Sequence, residues 1–100
     1  MEDIEVGHSD QENWNLLQRA KPSDWWFHVN AGTGAYVVVH HPKPHADLVR
    51  TACRLAKQNS RSKSLHRVRI VYCPVHNLRK GERTGEVCLR ALSQCRYKLV

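Results

Sequence analysis

Arg50, Arg54, Lys57 and Arg61 recur at intervals of four, three and four residues, the spacing that stacks side chains along one stripe of an α-helix. Lys63, Arg67 and Arg69 continue the run, so residues 50–69 hold seven Lys or Arg and no acid. Solvated helix faces ordinarily mix signs, with Glu four residues ahead of Lys or Arg. A single-sign field repels itself and attracts polyanions. Arginine forks match phosphate oxygens in a bidentate way. These seven side chains therefore point to nucleic acid, with Arg79, Lys80 and Arg83 as secondary phosphate contacts.

Other chemistry is less well supported. Cys73 and His76 have C-x-x-H spacing, and His40, His41 and His45 cluster. Structural zinc usually takes two closely spaced pairs, so no metal site or other cofactor is expected. Gly32-Thr33-Gly34 precedes a strand pattern, whereas a dinucleotide fingerprint must open a helix; it reads as a hairpin turn. G-x-S-x-G, H-E-x-x-H and P-loop patterns are missing. Only Asp24, Asp47, Glu82 and Glu86 remain past the acidic start, too few to favour a carboxylate pair. No catalytic residue is assigned.

The elements that must carry the stripe follow from periodicity. Ser9-Asp10-Gln11-Glu12 is a capping box that opens a short helix with Trp14, Leu17 and Ala20 inward. Strands over 25–30 and 35–41 form a hairpin around residues 31–34. Residues 46–59 make an amphipathic helix, with Leu48, Val49, Ala52, Cys53, Leu55 and Ala56 opposite the basic stripe. Residues 67–73, 86–90 and 95–100 alternate apolar and polar, the pattern of antiparallel strands with one wet face. The expected fold is α+β, a mainly antiparallel sheet with two helices packed on one face.

Length and charge agree. One hundred residues make one domain, here 1–100 with a flexible lead-in over 1–8. Sixteen Lys and Arg against nine Asp and Glu give a net charge of +7. A 41% hydrophobic content excludes a disordered chain. The longest apolar run, residues 35–39, is far too short for a membrane span, and the acidic start lacks the apolar core of a secretory signal. The cysteines at 53, 73, 88 and 95 read as reduced thiols. A cytoplasmic monomer is expected.

Asp24-Trp25-Trp26-Phe27-His28 resembles the D-x-W-F-H signature of the NFACT-R domain, the RNA-binding module of the NFACT, or fibronectin-binding-protein, family. Val6-Gly7 with Asn13 and Leu16, residues 52–60, Val71-Tyr72, Arg79-Lys80 and Gly85-Glu86-Val87 resemble its other segments in order. Gly34 sits where the family has G-S-H, but Ala35-Tyr36 replaces Ser-His. The chain is similar to stand-alone forms of this module. The resemblance implies RNA as partner, tRNA or rRNA near the ribosome, in ribosome-associated quality control. Asp24, Trp26, Phe27, His28 and Gly34 are then a structural signature, with His28 a satisfied structural histidine. DNA or general polyanion binding, protein interaction, and an enzyme acting on nucleic acid or aminoacyl esters are the alternatives.

Overall fold

A computed structural model describes residues 3–100. In chain order the elements are β1 (Ile4–Val6), α1 (Asp10–Arg19), β2 (Trp25–Val29), β3 (Val37–Val39), α2 (Ala46–Gln58), β4 (Arg69–Pro74), β5 (Leu78–Lys80), β6 (Val87–Leu89) and β7 (Arg96–Leu99). Single 3-10 turns at Val75–Asn77 and Leu92–Gln94 link the later strands. Five strands form an antiparallel sheet in the order β1-β3-β2-β4-β7, and β5 and β6 make a separate hairpin. The class is α+β, as the periodicities predict.

The finer layering departs from the expectation of one covered and one wet face. Phe27, Val29, Val37, Val39 and Ile70 pack under α2 through Leu48, Ala52, Cys53 and Ala56. On the opposite face Trp26, Tyr36, Val71 and Cys73 are covered by Leu17 of α1 and by Leu78, Val87 and Leu89 of the hairpin. The two helices thus take opposite faces. Valines on both sides of β3 and the adjacent pair Ile70 and Val71 are buried for this reason, since a sheet covered on both faces carries continuous apolar runs.

Three local differences have simple causes. Ile4–Val6, inside the stretch expected to be flexible, pairs with Val37–Val39 of β3. Helix α1 is capped as expected, with the Glu12 N–H donating to Ser9 Oγ at 3.1 Å. Its fully buried residues are Asn13 and Leu16, while the expected Trp14, Leu17 and Ala20 are partly buried, Leu17 packing on the core. Asn13 is inward because its Oδ1 accepts the Tyr36 N–H at 3.2 Å, which offsets burying a polar side chain. In β7 the alternation has no buried face: Tyr97 and Leu99 are exposed on an edge strand.

Candidate nucleic-acid interface

Helix α2 presents the stripe because its other arc is fully committed to the sheet. Leu48, Ala52, Cys53 and Ala56 are buried, leaving Arg50, Arg54 and Lys57 on the solvent side. Its N-terminus is capped by His45, whose Nδ1 accepts the Leu48 N–H at 3.3 Å, and Asp47 in the first turn suits the helix dipole.

Sheet order then adds what spacing does not reveal. Helix α2 rests mainly on β2 and β3, less on β4, so the outer strand β7 lies clear beside it. Register places Lys98 opposite Ile70 and Arg96 opposite Tyr72. Cross-strand partners share a face, so both cations stand on the α2 side. The result is an open groove of about 520 Å³ lined by Arg50, Arg54, Lys57, Lys63 and Lys98, with Gln58, Leu99 and Val100. Among the described residues the ion pairs include one in this groove, Arg50 to Asp47 at 2.7 Å. Arg54, Lys57, Lys63 and Lys98 have no carboxylate within ion-pair range there. Lysine 98 was not singled out from sequence; only the β4–β7 register brings it in.

The remaining basic residues are distributed elsewhere. Arg61 donates its N–H to Thr33 O at 3.1 Å and joins Lys63 around a neighbouring hollow of about 430 Å³ with Asn13, Gly34 and Ser60. Arg67 is exposed ahead of β4. Arg69 turns to the other face, 6.0 Å from the Tyr97 ring. Arg79, Lys80 and Arg83 belong to the β5–β6 hairpin region across the sheet from α2, where the Lys80 ammonium lies 4.4 Å over Trp14. Four of the ten sequence-selected cations therefore share the main groove.

The D-x-W-F-H residues hold the fold. Asp24 is buried and accepts the Lys21 N–H at 2.9 Å and the His40 ring at 2.7 Å. Phe27 stacks on Tyr72 in the α2-side core, and Trp26 stacks on His28 and meets Tyr36 edge-on. Burial pushes the His28 pKa below the ordinary histidine range, against hydrogen bonds with the backbone of Gly34 and Val29, so His28 is neutral at pH 7. Gly34 is required sterically: a Cβ there would lie 2.7 Å from Ser60 Cβ. Tyr36, which replaces the family histidine, donates its hydroxyl to Gly85 O, tying the sheet to the hairpin.

Among the described residues no three His, Cys, Asp or Glu side chains converge as ligands, and the cysteines are free thiols. No described helix is long and apolar enough to cross a membrane.

The profile of the NFACT protein RNA binding domain matches residues 3–90. The chain belongs to this family of RNA-binding domains. It is 34% identical to the coiled-coil domain-containing protein 25 homolog of Dictyostelium discoideum, over 92% of this chain and 49% of that protein. It is 33% identical to coiled-coil domain-containing protein 25 of Danio rerio, over 77% and 41% respectively. The chain thus spans about half the length of these relatives or less. Among solved structures it resembles the C-terminal part of the fibronectin/fibrinogen-binding protein from Streptococcus suis, with a TM-score of 0.89 and 25% identity, covering 97% of this chain and 40% of that one.

Proposed function

We propose that this chain is a non-enzymatic, cytoplasmic RNA-binding module that docks the phosphate backbone of structured RNA, tRNA or rRNA at the ribosome, in the groove between α2 and β7. The observation that carries this reading is the convergence of Arg50, Arg54, Lys57, Lys63 and Lys98 on one open groove whose lining includes no Asp or Glu side chain, Arg50 alone of the five pairing with an acid, the exposed Asp47. Such a field costs self-repulsion in the free domain, and an RNA backbone relieves it. Arg61 and, from the far side, Arg79, Lys80 and Arg83 extend the positive surface as secondary contacts, and Arg67 and Arg69 lie outside the main track. Family membership supports RNA as the partner. Ribosome-associated quality control is the cellular setting the family resemblance offers, and the domain acts in it as a monomer.

The test is tRNA affinity as a function of salt, alone and in competition with DNA of the same sequence. Five phosphate contacts give a log–log slope of about −3.5 to −4.5, and RNA should compete better than DNA through its 2′-hydroxyls. A slope near zero defeats phosphate docking. Equal competition by DNA makes the groove a general polyanion site.

A further inference from the structure

The basic groove does not end at Arg50. Along α2 the next residue toward the N-terminus is Val49, and along β7 the next residue on the same face as Lys98 is Arg96. Val49 and Arg96 line a second hollow of about 280 Å³ whose walls include Trp25, Tyr72 and Pro44. The two hollows therefore lie end to end along one seam. The character of the seam changes from cationic to aromatic.

We propose that this aromatic niche receives one unpaired nucleobase of the RNA whose backbone lies in the groove, an inference that rests on the reading of the groove given above. The walls are rigid. Tyr72 is backed on one side by Phe27, with rings 4.9 Å apart and 9° from parallel. Trp25 is tilted against Tyr72 at 6.0 Å, and its indole N–H is anchored on Pro42 O at 3.0 Å. The Arg96 guanidinium sits 5.4 Å over the Trp25 ring. Unpaired bases stack on aromatic rings and guanidinium planes, and every base has a face to offer. The volume is slightly below that of pockets for drug-sized ligands, which suits a single heterocycle. Lys43 at the rim and Arg96 supply positive charge for the adjoining phosphates, and no acid is among the lining residues. Trp25 and Tyr72 are only half-buried although they lie in the strand positions that read as core.

The experiment compares two RNA hairpins that differ in one atom group: each carries a single-nucleotide 3′ overhang, one with its base and one abasic. Phosphate number is equal, so any difference belongs to the base. The unmodified 100-residue chain should bind the base-bearing RNA about tenfold more tightly, and the Trp25 indole N–H resonance should shift with that RNA and stay put with the abasic one. Tyr72→Leu, and separately the exposed Arg96→Gln, should shrink the ratio toward one. Equal affinities with an unshifted indole overturn the niche. If Arg54→Glu with Lys98→Glu abolishes binding of both RNAs at the same time, the groove stands without it. If that double variant still binds both RNAs at full strength, the groove reading fails and takes the niche with it.

Discussion

His40 Nδ1 lies 2.7 Å from the Asp24 carboxylate, the first residue of the D-x-W-F-H segment. The other ring nitrogen, Nε2, lies 2.7 Å from Glu5, whose second oxygen takes Arg19 at 2.8 Å. An imidazole facing carboxylates at both nitrogens satisfies both only as the imidazolium, which donates twice. This chain of charges fastens β1, the lead into β2, the end of β3 and the last turn of α1 at one corner of the sheet.

Its pH dependence has a definite sign. Partial burial of His40 opposes the charged form, but hydrogen bonds to Asp24 and Glu5 outweigh it and raise the pKa. Stability from His40 is therefore complete below the unfolded value of about 6.5 and is lost as pH rises through the higher folded value. Glu5 is lowered, first by its hydrogen bond with His40 and then by Arg19. Its contribution is complete above about pH 4.3 and lost as pH falls through the folded value. Urea denaturation across pH should give maximal stability between these limits. His40→Gln should cost about 2 kcal/mol near pH 6 and flatten the alkaline limb. A variant that keeps the wild-type pH profile would show that the corner carries no net stability.

Arg54→Glu separates binding from folding. Glu at 54 would face Arg50 at i−4 and Lys57 at i+3, and each such helix pair is worth about 0.2–0.5 kcal/mol. The substitution removes a like-charge contact as well. The domain should thus be unchanged or slightly more stable in urea while tRNA affinity falls about ten- to a hundredfold, the worth of a charge-assisted hydrogen bond. Parallel loss of stability and binding would make Arg54 a structural residue.

What could be read from the chain alone divides by sequence distance. Helix α2 and its stripe were legible because both depend on a local 3.6-residue period, and the β2–β3 hairpin because its partners are adjacent in the chain. Lys98 and Arg96 were not, since only the sheet order sets β7 beside α2. Strand β1 was hidden in an acidic stretch whose pairing with β3 crosses more than thirty residues. His40 stands in a histidine-rich segment suggestive of metal, yet its partners are Glu5 and Asp24, 35 and 16 residues away. Trp25 and Tyr72 have core composition, and only the tertiary placement shows that α2 leaves them half-open.

Gly34 tests the close approach of the β2–β3 connection to the end of α2. It forms a bridge with Ser60, and a Cβ at 34 would lie 2.7 Å from Ser60 Cβ and 3.0 Å from its Cα. Because one of these atoms is backbone, a rotamer change cannot relieve the clash. Gly34→Ala should cost about 1–3 kcal/mol, the usual cost of overpacking, read from the urea midpoint. An unchanged midpoint would mean that the connection shifts freely.

The cysteines offer a direct measure of how completely the two faces are covered. Cys53 lies on the sheet-facing side of α2 and Cys73 on the opposite face of the sheet, both fully buried. Burial pushes their thiols up to about 11 and about 12, so the reactive thiolate is scarce as well as inaccessible. Cys88 and Cys95 are part-exposed, though the Cys95 thiol is directed at Ala91 O at 3.7 Å. Iodoacetamide at pH 8 should therefore label Cys88 first and Cys95 next, with Cys53 and Cys73 modified only in urea, as followed by peptide mass mapping. Labelling of Cys73 at the rate of Cys88 would show that α1 and the β5–β6 hairpin open as a unit. Protection of Cys53 in the same sample would confine that opening to the face away from α2 and leave the basic groove intact.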